Sequence, residues 1–112
     1  MPVTYERELL PWGNVHGLRL PKAAWQLAEL QPLKPLVIDI SPDGIFIRSN
    51  SKPAWSGAVT THMSRLTKWG NSYGVQITSI ARTVPNFLPG EYLNIAASSE
   101  GLLITKKVQI NK

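Results

Sequence analysis

Two short stretches of the chain combine a glycine-containing turn with side chains suited to polar recognition. Residues 12–17 read WGNVHG, and residues 69–74 read WGNSYG, 57 positions later. Lysine and arginine form ion pairs, while asparagine and glutamine each present a donor beside an acceptor. The polar and basic side chains in and beside the two stretches are Asn14, Arg19, Lys22, Arg65, Lys68, Asn71, Ser72 and Gln76. By residue type alone, Lys68 and Arg19 are better explained as ordinary solvated strand residues, and the two asparagines can simply hold their turns.

The residue types needed for catalysis are not grouped in the sequence. The chain has no cysteine, no phosphate-binding loop of the G-x-x-x-x-G-K type, and no serine, histidine and carboxylate set with a recognisable elbow. Acidic residues are too few for a carboxylate metal centre, and His16 and His62 lack acidic or histidine partners at ligand spacing. We therefore expect no enzyme, no cofactor and no metal site.

The composition limits the class of protein. With 112 residues, 43% of them hydrophobic, the chain has the size and apolar content of one compact domain. Its net charge of +5 permits a polyanionic partner such as nucleic acid without requiring one. The lack of cysteine fits a reducing compartment, and no apolar run reaches the roughly 18–20 residues of a membrane span. The expectation is a cytoplasmic protein with no membrane association.

The doubled stretch belongs to a longer internal repeat. Residues 12–50 align without a gap over residues 69–107, with eleven identical pairs in thirty-nine positions. The pairs are Trp12/Trp69, Gly13/Gly70, Asn14/Asn71, Gly17/Gly74, Ala24/Ala81, Pro32/Pro89, Leu36/Leu93, Ile38/Ile95, Ser41/Ser98, Gly44/Gly101 and Ile47/Ile104. We divide the chain into a first repeat (1–50), a linker (51–63), a second repeat (64–107) and a short tail (108–112).

Each repeat has the pattern ββαββ. A strand, about 4–9 or 64–68, precedes the Gly-Asn turn, and a second strand alternates aliphatic residues around Arg19 or Gln76. A short helix follows, with Pro21 in the first turn of one copy, a Thr78 or Ser79 cap in the other, and Pro85 ending the second helix. A hairpin around Ser-Pro-Asp-Gly or Ser-Ser-Glu-Gly closes each copy. One copy is too small to bury a sufficient core alone, so each copy needs the other.

The second repeat resembles a known family. The stretches MSRLTKWGNSYGVQI (63–77), LPGEYLNI (88–95) and EGLLITK (100–106) are similar to the AbrB/MazE/SpoVT family of swapped-hairpin DNA-binding domains, above all to its MazE-like branch. The first repeat resembles it more weakly through LPWGNVHGLRLPK. The resemblance implies a mainly β fold with short helices, a swapped-hairpin β-barrel formed as an intramolecular pseudo-dimer of the two ββαββ repeats. Trp12 and Trp69 are then expected to plug the barrel rather than to stack on bases.

The resemblance also implies which residues contact DNA. Lys68, Asn71, Ser72 and Gln76, with Arg65 beside them, correspond to the family's contact positions in the second copy, and Asn14, Arg19 and Lys22 do so in the first. The chemistry suits double-stranded DNA, since lysine binds phosphate, Asn and Gln can pair with adenine, and Arg can pair with guanine.

The two copies differ in ways that bear on function. Glu8, Pro11 and Val15 stand where the second copy has Arg65, Lys68 and Ser72. The net charge is +1 over residues 1–54 and +4 over residues 55–112. This inequality indicates either an asymmetric DNA site or a first copy with a partly structural role. MazE-like antitoxins resemble one another in carrying a long acidic tail, whereas residues 105–112 are short and basic, so toxin neutralisation by such a tail is not expected.

The leading hypothesis is a transcriptional regulator that binds duplex DNA through a pseudo-two-fold barrel, as a monomeric pseudo-dimer or as a homodimer. The alternative is an antitoxin-like or assembly module that binds a protein, such as a toxin, and whose DNA surface is degenerate. DNA binding that weakens steeply with salt distinguishes the first hypothesis from the second.

Overall fold

The computed structural model describes residues 3–107, and the predicted tail 108–112 lies outside the described residues. The elements of the first half are β1 (Val3–Glu8), β2 (Leu10–Trp12), β3 (Val15–Leu20), α1 (Lys22–Leu27), β4 (Pro35–Ser41) and β5 (Gly44–Ser49). Those of the second half are β6 (Thr60–Arg65), β7 (Thr67–Trp69), β8 (Ser72–Ile77), α2 (Ser79–Thr83), β9 (Tyr92–Ser98) and β10 (Gly101–Lys106). The fold is thus mainly β with two short helices among the described residues.

Every strand of the first half has a counterpart of the same length 57 positions later. The five matched pairs begin with β1 and β6 and end with β5 and β10. The correspondence begins at Val3 and Thr60, nine positions before the predicted alignment. Thr60–Met63, which we expected in the linker, are therefore strand residues. The sequence TTHMSR has little apolar character because β6 is an edge strand, with a neighbour on one side only. The connection between the halves accordingly runs over residues 50–59.

The segment before each Gly-Asn turn, where one strand was expected (about 4–9 or 64–68), contains two strands. β1 and β2 are separated by Leu9, and β6 and β7 by Leu66, and both leucines are fully buried. Each chain segment passes at this point from one sheet to the other, so its side chains change the direction in which they point. The order of each copy is consequently βββαββ rather than ββαββ.

The strands form two antiparallel sheets whose orders are symmetric. The larger sheet has the order β1-β9-β10-β5-β4-β6, and the smaller has the order β2-β3-β8-β7. Exchanging the two copies simply reverses each order. At the centre of the sheets, Leu18 lies opposite Val75 and Phe46 lies opposite Leu103, and both pairs join positions 57 apart. A pseudo-two-fold axis therefore passes between the members of both pairs.

The core lies between the two sheets and beneath the helices. Leu18, Leu20, Val75 and Ile77 from the small sheet belong to one buried cluster with the inward aliphatic residues of the large sheet. β1 pairs with β9, and β6 pairs with β4, so each copy adds a strand to the hairpin of the other. Each half thus supplies the cover that the other half lacks.

The predictions for the ends of the second helix and for the hairpins are confirmed, whereas Pro21 lies one residue before the first turn in which it was expected. Thr78 caps α2 through a hydrogen bond that its side chain accepts from the backbone N–H of Ala81, and α2 ends two residues before Pro85. Pro21 lies at the N-cap of α1. The β4–β5 and β9–β10 hairpins turn where predicted, and Gly44 is required because a Cβ there would lie 2.2 Å from the backbone oxygen of Ile104. Neither described helix is long and apolar enough to cross a membrane.

The connection between the halves is anchored to a buried ion pair. The Asp39 carboxylate accepts hydrogen bonds from Arg48 Nε at 2.7 Å, from the Trp55 backbone N–H at 2.9 Å and from Thr61 Oγ1 at 2.8 Å. Arg48 also donates to the backbone oxygen of Lys52. Asp39 is completely buried, and Trp55 contributes to its cover by packing beside Phe46 at 6.2 Å between ring centres.

Candidate nucleic-acid interface

The small sheet has one face on the core and one face toward solvent, which we call the outer face. In β3, Arg19 is exposed between the buried residues Leu18 and Leu20, and in β8, Gln76 is exposed between Val75 and Ile77. The alternation of side chains along a strand produces this arrangement. Gly17 lies opposite Gln76, and Gly74 lies opposite Arg19, so the two polar side chains stand beside residues that have none.

The two tryptophans of the repeated stretch meet on the outer face. The rings of Trp12 and Trp69 stack with centres 4.2 Å apart and an interplanar angle of 17°. They lie over the glycines, since a Cβ on Gly17 would be 2.3 Å from the Trp12 ring and one on Gly74 would be 3.0 Å from the Trp69 ring. The expectation that these rings plug the interior is wrong, because Trp12 and Trp69 lie on the opposite side of the sheet from the buried leucines.

Arg19 is held against this pair. Its guanidinium carbon lies 4.8 Å from the centre of the Trp69 ring, a cation–π distance. An arginine on an aromatic ring keeps its N–H donors free at the edge while its flat face is packed. Arg19 is therefore a partly ordered donor group on an otherwise open surface.

Two grooves flank the outer face, and the pseudo-two-fold relates them. The Asn71 groove is lined by Leu20, Lys22, Trp25, Asn71, Ser72 and Tyr73. The Asn14 groove is lined by the six positions that correspond to them, namely Ile77, Ser79, Arg82, Asn14, Val15 and His16. Each groove thus joins the turn of one copy to the strand end and helix of the other. Their volumes, about 290 and 200 Å³, lie below the usual size of a pocket for a drug-sized ligand or cofactor.

The structure distributes the predicted contact residues over several surfaces. Lys22, Asn71 and Ser72 share one groove, and Asn14 lines the other. Lys68 is exposed at the edge but lies opposite Tyr73, and so projects on the core side of the sheet, away from Arg19. Arg65 shares a separate surface groove with Gln76 and Thr78.

The turn asparagines are available for contacts. Asn14 and Asn71 are exposed, and neither side chain makes a hydrogen bond within residues 3–107. The preceding glycines, Gly13 and Gly70, both have φ of +64° and hold the turn conformation without them. Ser72 differs, since its hydroxyl donates to the Trp69 backbone oxygen at 3.2 Å.

Sequence reasoning missed Arg82, which lines the Asn14 groove. Arg82 corresponds to Trp25 of the first copy. Because Trp25 lines the Asn71 groove, the alignment of the two copies places Arg82 in the matching Asn14 groove. Trp25 in turn packs edge-on against Tyr73, 5.7 Å between ring centres. The aromatic residues Trp25 and Tyr73 of the Asn71 groove thus correspond to Arg82 and His16 of the Asn14 groove.

The strands of the small sheet and the two helices carry charge of one sign. No aspartate or glutamate occurs between residues 9 and 28 or between residues 44 and 90, and these ranges contain the whole small sheet and both helices. The ion pairs within residues 3–107 are Asp39–Arg48, Glu29–Lys52, Glu91–Lys106 and Glu6–Lys107. Arg19, Lys22, Arg65, Lys68 and Arg82 take part in none of these pairs.

The described residues contain no group of three potential metal ligands. His62 lies on β6, away from the outer face, where burial lowers the pKa of its imidazole. Comparison with protein-family models, curated proteins and solved structures found no match to this chain. The arrangement of its own residues therefore has to carry the functional argument.

Proposed function

We propose that this protein binds duplex DNA through the outer face of its small sheet and acts as a transcriptional regulator. The supporting observation is the coincidence of three features: no carboxylate in the strands of the small sheet or in the helices, two exposed residues that can pair with base edges, and two matched grooves that contain cations. Cations without paired carboxylates attract a polyanion, and most protein–DNA hydrogen bonds go to phosphates.

The dimensions of the surface suit this role. The major groove, about 12 Å wide, admits a two-stranded ribbon, and β3 and β8 are the central antiparallel pair of the four-stranded small sheet, with β2 and β7 beside them. Arg19 and Gln76 project from β3 and β8 and are positioned to contact base edges. The grooves lie on either side of the pseudo-two-fold axis, where Lys22, Arg82 and the turn asparagines can contact the phosphates of the two strands.

The proposal includes an intramolecular pseudo-dimer of two AbrB/MazE/SpoVT-like swapped-hairpin repeats. The symmetric strand orders and the central pairs at a separation of 57 support it. We expect a folded monomer of 12.4 kDa whose unfolding midpoint does not change over a hundredfold range of protein concentration. Sedimentation velocity and denaturant titrations measure both properties. A midpoint that rises with concentration would indicate that the hairpins exchange between chains instead.

DNA binding should weaken steeply with salt. If several phosphates are neutralised, the logarithm of the binding constant should fall with the logarithm of salt concentration, and each lost contact should reduce the slope by about 0.9. We expect Lys22→Ala and Arg82→Ala each to reduce the slope by about that amount, measured by fluorescence anisotropy on a duplex selected from random sequences.

Lys52→Ala is the matched control, because it removes the same charge from a lysine paired with Glu29 outside the outer face. Its slope should equal that of the original protein. Undetectable binding at low salt would disprove the proposal and leave a protein-binding module as the function to test.

A further inference from the structure

The two halves of the outer face carry different side chains at matched positions. Arg19 corresponds to Gln76 under the repeat, and each is exposed on the central pair of strands. Because the pseudo-two-fold axis passes between Leu18 and Val75, Arg19 and Gln76 stand at equal distances from it on opposite sides. The backbone is therefore symmetric at the point where the two side chains differ.

The two side chains also differ in how they are held. Arg19 rests on the Trp69 ring, and one of its terminal nitrogens lies 3.9 Å from the position that a Cβ of Gly70 would occupy. Trp12 offers the corresponding ring on the Gln76 side, since it stacks on Trp69 across the axis. Glutamine has no cation to place on that ring, so only one half has an ordered guanidinium.

The two flanking grooves also carry different side chains at matched positions. The Asn71 groove has a hydroxyl, a phenol ring, a primary amine and an indole, at Ser72, Tyr73, Lys22 and Trp25. The matched positions of the Asn14 groove are Val15, His16, Ser79 and Arg82. Only the asparagine is common to both, so the phosphate contacts of the two halves differ in chemistry and in position.

We infer that the DNA site is not palindromic and that the protein binds it in one orientation. At two positions related by the pseudo-two-fold, Arg19 selects guanine and Gln76 selects adenine, because arginine pairs with guanine O6 and N7 and glutamine pairs with adenine N6 and N7. This inference rests on the proposed DNA binding. Exchanging the two bases of an otherwise unchanged site should weaken binding by about 10-fold or more.

Two substitutions that make the halves alike test the assignment. Gln76→Arg places arginine on both halves, and Arg19→Gln places glutamine on both. Selection from random duplexes should yield a site with guanine and adenine at the matched positions for the original protein, guanine at both for Gln76→Arg, and adenine at both for Arg19→Gln. Both positions are exposed, and circular dichroism verifies that each variant is folded.

Orientation can be measured directly because the chain has no cysteine. Cysteine introduced at Ala23 or at the matched position Ile80, both exposed and each beside one groove, can carry an iron–EDTA group that cuts nearby DNA. The two labelled proteins should each cut one flank of the selected site, and the two flanks should be opposite ones.

The outcomes separate the inference from the proposed function. Failure to bind any selected duplex overturns both. Tight binding to a palindromic site, or equal cutting of both flanks by each label, overturns the inference and leaves DNA binding intact. An asymmetric site that stays unchanged in Gln76→Arg and Arg19→Gln overturns the assignment of the two bases.

Discussion

Replacing Arg48 by alanine should lower the free energy of unfolding by about 3–5 kcal/mol, the usual cost of leaving one partner of a buried ion pair alone. Asp39 is completely buried and Arg48 is 8% exposed, so water cannot replace the lost guanidinium contacts. The same change removes the hydrogen bond to the Lys52 backbone oxygen and loosens the connection between the halves. Urea unfolding followed by circular dichroism measures the effect.

The second repeat supplies the control for this prediction. Ala96 and Thr105 occupy the positions that correspond to Asp39 and Arg48. The double variant Asp39→Ala, Arg48→Thr should therefore destabilise the protein less than Arg48→Ala alone, since no unpaired charge remains. A double variant that is less stable than the single one would contradict this account of the ion pair.

The buried ion pair also makes the free energy of unfolding depend on pH. Burial raises the pKa of Asp39, but the hydrogen bonds from Arg48, Trp55 and Thr61 and the Arg48 charge outweigh burial and hold it below its ordinary value of 3.8. The stabilisation is thus present above pH 3.8 and is lost as the pH falls through the lower pKa of the folded state. Asp39→Asn should remove this part of the acid destabilisation.

Gly17→Ala should disrupt the tryptophan pair and, with it, the proposed DNA surface. The added methyl group would lie 2.3 Å from the Trp12 ring and 3.0 Å from the Trp69 ring, so Trp12 must move and Trp69 must shift slightly. We expect a loss of about 1–3 kcal/mol of stability from overpacking. With Trp69 shifted, Arg19 loses its support, and discrimination at its base pair should fall by about 1–3 kcal/mol.

Near-ultraviolet circular dichroism reports the stacked rings directly, and anisotropy titrations with matched and mismatched duplexes report discrimination. Gly57→Ala is the control, because a Cβ there has no neighbour closer than 3.7 Å. It should change neither signal. Unaltered discrimination in a Gly17→Ala variant whose tryptophan signal is lost would mean that Arg19 acts without the aromatic support.

Local patterns predicted the parts of the fold that depend on neighbouring residues. The hairpins turn at Ser-x-x-Gly because short polar residues and glycine suit a reversal, and Thr78 caps α2 because its hydroxyl can reach the free N–H of Ala81. The division of the first strand at Leu9 could not be read from the sequence. A buried leucine in a strand looks the same whether the chain stays in one sheet or passes into another.

The candidate site was predictable in its residue types and not in its grouping. Arg19 and Gln76 alternate with aliphatic residues, so their exposure follows from the pattern. The side chains beside Lys68 also alternate between the two faces of the sheet. The face on which Lys68 lies depends on the register between β7 and β8, and a pairing between two segments cannot be read from one of them alone. Arg82 was missed because its groove exists only where α2 of one copy meets the turn of the other.

The sequence by itself determined that the chain is a repeat, where its turns and hairpins fall, and that Arg19 and Gln76 are exposed between buried aliphatic residues. These properties depend on residue type, spacing and conformational preference within a few positions. Only the tertiary structure decided that the tryptophans stack outside the core, that the connection between the halves is tied to Asp39, and that each groove draws residues from both copies. Such features arise from contacts between segments far apart in the chain, whose register and facing are set by burial of the shared core.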